Sequence, residues 1–342
     1  FVDDARLAEI RAMELEGKDE EAREKWNEWE KKHGKSPLVA EARIAHTWNY
    51  LRAGDWRRAQ GYVDGLEESA AWTSGDARVV MARAVLLHAA NDPEACLTEL
   101  ARMPKPTAAS TYLTALSYDA QGNVLEAAAA YQEVYERFPD TPLKDRALYA
   151  KANTFLNGGA YRSAAEEFAT VASISEDPEL RSEAMLRRGA AFFEESSYAE
   201  AIPVLRELVQ EYPDADASAR GQFLLGEIAM VTDDPDSAIV EYNLVLRDYF
   251  EHEVAASAQY RIARCYESLG RRADAVSAYA RVVRGYPLEA EAPPAAYLAG
   301  AGLLDMCRPL AAAPYFQIVL DRYARQPADQ AVMVFANEGQ LD

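Results

Sequence analysis

The stretch EAAAAYQEVYERFPD at 126–140 decides the fold. Ala127, Tyr131 and Val134 follow one another at spacings of four and three, which places them on one face of a helix. Phe138-Pro139 then ends that helix, because proline has no N–H to donate and clashes with the turn before it. The same pattern returns as Ala164, Phe168, Val171, then Ala201, Leu205, Leu208. It continues as Ala238, Tyr242, Val245, as Ala275, Tyr279, Val282, and as Ala312, Phe316, Val319. The first step is 164 − 127 = 37 residues, and each later step is also 37. Equal steps of this kind mark an internal repeat.

The pattern extends backwards more loosely. Ala22 is followed by Trp26 and Trp29, Ala59 by Val63 and Leu66, and a third match falls at Ala95. These alanines give steps of 37, 36 and 32. At Ala95 the aromatic place is taken by Glu99, with Leu100 beside it. About nine repeats are expected, six of them regular. Residues 1–105 form a divergent N-terminal part and 106–326 the regular array. Residues 327–342, with Ala331, Val332, Val334 and Phe335, form a capping helix or the start of a further repeat.

Each signature alanine has a partner twelve residues upstream: Ala115, Ala152, Gly189, Gly226, Ala263 and Gly300. Three places further on comes a larger apolar residue in most copies, such as Tyr118, Phe155, Phe192, Tyr266 and Leu303. Small residues let two helices approach, and the aromatics fill the space to the next pair. One such pair cannot bury its own apolar face, so the pairs must stack. Helix starts agree with this register. Asp92-Pro93 and Asp234-Pro235 read as N-cap followed by proline at the first helical position. Asn123 with Glu126, and Ser197 with Glu200, read as capping boxes. Pro203 and Pro314 lie close enough to a helix start to be tolerated.

On these residues the chain resembles the tetratricopeptide repeat family. The resemblance implies an all-α fold, a right-handed α-α superhelix of helix–turn–helix repeats, whose first helices line a concave groove for a partner peptide or domain. The common form of the family repeats at about 34 residues, whereas this chain steps by 37. The longer step and the aromatic–proline endings are similar to the subset found in bacterial envelope proteins. The family geometry picks out groove residues at fixed offsets from each small residue. In this sequence they are Tyr112, Leu116, Asp119, Tyr149, Asn153, Asn157, Arg220, Phe223, Glu227, Tyr260, Arg264, Glu267 and Tyr297. Asn153 and Asn157, one turn apart, are placed to clamp a peptide backbone. Tyr and Arg are the residue types that dominate interface energies.

Composition narrows the partner. The chain has 342 residues, 36 Lys plus Arg against 56 Asp plus Glu, and a formal net charge of −20. That sign repels phosphate backbones and anionic lipid, so nucleic acid is not an expected partner. No apolar run reaches the length of a membrane span, so this segment is not expected to insert directly. Cys96, Cys265 and Cys307 form no C-x-x-C, which argues against a disulfide framework or zinc site. The histidines, His33, His46, His88 and His252, are scattered, and no H-E-x-x-H, G-x-S-x-G or phosphate loop is present. No catalytic residue, metal or cofactor is expected. The aromatic stripe and the A-G-A-G at 299–302 read as packing. The expected function is a non-catalytic protein-binding scaffold or adaptor, a subunit of a bacterial assembly in the periplasm or cell envelope. The alternatives are a cytoplasmic location, the recognition region of a larger enzyme, and a binder of cell-wall polymer.

Overall fold

A computed structural model describes residues 2–323 apart from 67, 68, 70 and 72–74. Every regular element among the described residues is helical. The expected C-terminal helix over 327–342 lies outside the described residues. The chain divides into two compact units, Phe1–Ala160 and Tyr161–Asp342.

In the first unit α1 (Val2–Leu15) pairs with α2 (Asp19–His33), and α3 (Val39–Arg52) with α4 (Trp56–Asp64). Next come α5 (Ala77–Ala89) with α6 (Pro93–Leu100), α7 (Ala108–Ala120) with α8 (Val124–Arg137), and then α9 (Lys144–Asn157). The second unit opens with α10 (Tyr161–Ile174), followed by α11 (Pro178–Glu194) with α12 (Tyr198–Glu211) and α13 (Asp216–Val231) with α14 (Pro235–Asp248). It continues with α15 (Val254–Ser268) and α16 (Arg272–Gly285), then α17 (Ala292–Asp305) and α18 (Pro309–Ile318). A π-helical turn, Val319–Tyr323, follows. First helices also touch first helices: α1 with α3, α3 with α5, α5 with α7, α11 with α13, and α13 with α15. Each unit is therefore a helical-repeat array with one face built from first helices.

The signature residues are the core. Ala127, Ala164, Ala201, Ala238 and Ala312 are fully buried, and so are Tyr131, Phe168, Tyr242, Tyr279 and Phe316 to within 1%. Burying an apolar side chain of that size stabilises by roughly 1.5–3 kcal/mol, which is why the aromatic stripe is packing. Gly300 is packing too: a Cβ there would meet the Phe316 ring at 2.7 Å.

The turns that follow the first helices carry a second periodic mark. Gly17, Gly54, Asn91, Gly122, Gly159, Ser196, Asp233, Gly270 and Cys307 all have positive φ, between 56° and 76°. Each lies five residues before a signature position, provided the third repeat is registered on Cys96 rather than Ala95. Burial confirms that correction: Cys96 is fully buried and Leu100 is 7% exposed, so these two fill the alanine and aromatic places. The steps then become 96 − 59 = 37 and 127 − 96 = 31. The shortfall lies in the second helix, since α6 has 8 residues where α8 has 14. Glu99, which stood at the aromatic place, is instead a buried carboxylate held by Arg83 at 3.1 Å and Arg102 at 2.8 Å.

Two of the four expected caps form. Asp92 accepts from the Ala95 N–H at 3.0 Å and Asp234 from the Ser237 N–H at 3.1 Å. The capping boxes at Asn123 and Ser197 do not form. The Asn123 amide donates to Gln121 at 2.8 Å, and the Ser197 hydroxyl to the Glu195 carboxylate at 2.9 Å. Each of these contacts turns the side chain toward the preceding turn, and its oxygen accepts no N–H from the helix start. Pro203 and Pro314 lie inside α12 and α18, which run on past them. Phe138, Tyr212 and Tyr286 close their helices as expected, each donating its N–H to the carbonyl four residues back.

Candidate functional site

The first-helix faces carry the residues selected from sequence, and a single device positions the aromatic ones. The residue three before the small position rests against the aromatic of its own second helix. Tyr112 meets Tyr131 at 5.3 Å, Phe223 meets Tyr242 at 5.4 Å, Tyr260 meets Tyr279 at 5.5 Å and Tyr297 meets Phe316 at 5.9 Å between ring centroids. Each outer ring is half-buried, with its inner neighbour fixed in the core. Ring pairs at such separations stabilise by about 0.5–1.5 kcal/mol beyond their burial. The outer rings are thus held rigid while part of each remains open to a partner.

In the first unit, Leu116 packs partly against the α7–α8 core and is less available than its offset implied. Asp119 and Tyr149 are half-buried, and Asn157 is exposed at the end of α9. Asn153 donates its side-chain amide to the Tyr149 carbonyl at 3.2 Å. That bond uses one of the two amide hydrogens, so the second N–H and the side-chain oxygen face away from it.

In the second unit the polar selections are linked across repeats. Glu227 accepts from the Tyr242 hydroxyl and pairs with Arg261 of α15 at 2.9 Å. Burial, and after it the Glu227 carboxylate, push the Tyr242 hydroxyl far above its ordinary pKa. Arg264 donates to Glu267 at 2.8 Å. Glu267 also lines a small cleft with Tyr279, Leu298, Ala301 and Asp305. Arg220 pairs with Asp216 on its own helix and lies 3.7 Å from Glu183 of α11. Asp216 in turn contacts His252 Nε2 at 2.8 Å.

Glu183, Asp216, His252 and Arg261 were not selected from sequence. Glu183 had a signal: it stands six before Gly189, the offset at which Arg220 stands before Gly226. The other three lie off the groove offsets, and only the stacking of successive repeats brings them in.

Comparison with known proteins agrees with this architecture. A family model described as a tetratricopeptide repeat-like domain matches residues 98–252, and one described as a tetratricopeptide repeat matches 257–288. The C-terminal part of a TPR repeat-containing protein from Cytophaga hutchinsonii is similar in structure, with a TM-score of 0.58 at 14% identity. That match covers 74% of this chain and 98% of the other. PilF from Pseudomonas aeruginosa matches with a TM-score of 0.45 at 18% identity, over 61% of this chain and 90% of its own. No curated protein sequence matches the chain.

Proposed function

The chain belongs to the tetratricopeptide repeat family, and from that premise we propose that it is a non-catalytic scaffold or adaptor that holds protein partners on its first-helix faces. The observation that carries this reading is the rigid aromatic series. Tyr260 and Tyr297 stand half-exposed on buried partners, with the exposed Arg264 one turn from Tyr260. Tyr and Arg held in place before binding lose little side-chain entropy on contact, which is the character of interface hot spots. A Tyr260→Ala, Arg264→Ala double variant tests it. Mild cross-linking in extract of the native host, read by mass spectrometry, should give stoichiometric proteins cross-linked to first helices of the wild type and lost from the variant. The same proteins in the same yield from both would overturn the reading.

The assembly is a bacterial one in the periplasm or cell envelope. What supports this is the 37-residue step with aromatic–proline helix endings, the repeat style of envelope members of the family. No helix among the described residues is long and apolar enough to cross a membrane. Fractionation of native host cells checks the location, and recovery of the chain with the cytoplasmic fraction alone would overturn it.

A further inference from the structure

A cleft of about 710 Å³ opens between the starts of α11 and α13 and the turn after α12. Its wall is partly apolar, from Pro178, Tyr212, Pro213 and Ala217. Five carboxylates line it, from Glu179, Glu183, Glu211, Asp214 and Asp216, against the single guanidinium of Arg220. That guanidinium is already committed, to Asp216 and Glu183. Glu183 takes a second cation, Arg187, at 2.9 Å. Glu179, Glu211 and Asp214 are exposed and make no ion pair among the described residues. Helix starts ordinarily attract anions. Here both are answered from within, since Asp177 accepts the Glu179 N–H at 3.0 Å and Asp216 occupies the first turn of α13. The cleft is left with surplus negative charge beside apolar wall.

His252 reaches Asp216 at 2.8 Å, which brings the next inter-repeat turn to the cleft. That turn carries Phe250, 60% exposed.

We propose that this cleft takes basic side chains from a partner protein segment that alternates basic and apolar residues, the apolar ones resting on Phe250 and Tyr212. The occupant is fixed by charge complementarity, and the volume, within the roughly 300–1,000 Å³ of ordinary ligand pockets, admits long side chains. The proposal rests on reading the first-helix side of this unit as protein-binding. It differs in naming the chemistry and the place.

The test uses the whole chain and a short fluorescein-labelled peptide alternating arginine and leucine, followed by anisotropy at physiological ionic strength. A glutamate–leucine peptide and an arginine–serine peptide are the comparisons. The arginine–leucine peptide should bind saturably and more tightly than either. Glu211→Lys with Asp214→Lys should weaken it about tenfold, the sum of two modest ion pairs. Glu24→Lys with Glu28→Lys makes the same change of net charge in the other unit and should leave Kd within about twofold. Should the reversal disturb folding by circular dichroism, Glu211→Gln with Asp214→Asn gives the same comparison with smaller loss. Absence of saturable binding, or equal weakening by both reversals, overturns the proposal. Partners captured by the wild type and lost from the Tyr260→Ala, Arg264→Ala variant would then still uphold the scaffold reading, so the two can fail separately.

Discussion

Gly226 lies against the ring of Tyr242, where a Cβ on residue 226 would meet Cδ1 at 2.6 Å. Tyr242 cannot retreat. It is fully buried, Phe223 packs on it at 5.4 Å, and its hydroxyl is held by Glu227. Gly226→Ala gains about 1 kcal/mol of helix propensity but overpacks a closed site, which costs about 1–3 kcal/mol. The expected result is a net loss of about 1 kcal/mol. Gly61 in α4 has nothing within 4 Å of its absent Cβ. Gly61→Ala should therefore stabilise, by roughly 0.5–1 kcal/mol. Urea midpoints of the two variants should move in opposite directions, and a common direction would contradict the packing argument.

Ser196 stands at a helix–helix tip with φ 61°, where other copies use glycine. An L-residue there costs about 1–2 kcal/mol, part of which glycine gives back in unfolded-state entropy. Ser196→Gly should raise stability by about 0.5–1 kcal/mol. Gly159→Ala, at φ 76° with open space around it, should lower it by about 1 kcal/mol. Denaturant titration checks both, and an unaltered midpoint for Gly159→Ala would mean the backbone relaxes out of this conformation.

These tips show where the sequence could be read and where it could not. The alanine–aromatic spacing exposed the architecture because one residue type recurs at a fixed place under one steric demand. The tip position obeys an equally strict demand on φ, yet Gly, Asn, Asp, Ser and Cys all meet it, so its periodicity is hidden in the letters. The third repeat reads one residue early for a related reason. Cysteine replaces alanine there, with similar bulk but a different letter, and α6 is cut short. The first-helix offsets found the rings that stack, since they follow the packing register. They could not show that Asn153 turns back on its own helix, nor that Arg261 joins Glu227 across repeats, because those depend on side-chain geometry.

Glu241 is 8% exposed and depends on neighbours from two other helices. Arg206 of α12 reaches both of its oxygens, and Gln222 of α13 donates to it at 2.6 Å. Removing Arg206 leaves a buried carboxylate short of its cation. Arg206→Ala should cost about 2 kcal/mol, below the roughly 3–5 kcal/mol of a fully buried pair because the arginine is half-exposed. The double variant Arg206→Met, Glu241→Leu removes the charge together with its partner and should recover most of the loss. A double-mutant cycle by urea unfolding, with Arg206→Met and Glu241→Leu as its single variants, decides it, and purely additive losses would rule out the coupling.

Arg78 gathers two carboxylates, Glu41 at 2.7 and 2.9 Å and Asp76 at 2.8 Å. Its hydrogen bonds are the main cause holding both acids below the usual carboxylate range. A depressed folded pKa means the unfolded chain binds more protons between the two values. The stabilisation is therefore fully present above the unfolded values of about 3.9–4.3 and is lost as pH falls through the folded ones. Arg78→Met should lower stability at neutral pH by about 0.5–1 kcal/mol, after discounting for solvent exposure. The gap between variant and wild type should close as the pH is taken below about 4. A gap that stays constant down to strong acid would show that packing, not charge, is what Arg78 supplies.

The three thiols differ in access. Cys96 and Cys265 are fully buried, and Cys307 is exposed at a tip. Burial, with the Glu227 carboxylate next, pushes the Cys265 thiol up to about 11, and burial also raises Cys96. The thiolate is the reactive form, so at mildly alkaline pH both buried groups are slow for two reasons at once, low access and low ionisation. A chromogenic disulfide reagent should titrate one thiol rapidly in the native chain, and Cys307→Ser should abolish that phase. The other two should react only as denaturant opens their units, Cys265 in step with the second unit and Cys96 with the first. Following the two slow phases across a urea series would show whether the units open together or separately. A rapid phase that persists in Cys307→Ser and is lost on adding Cys96→Ser would refute the placement of Cys96 at the signature alanine position.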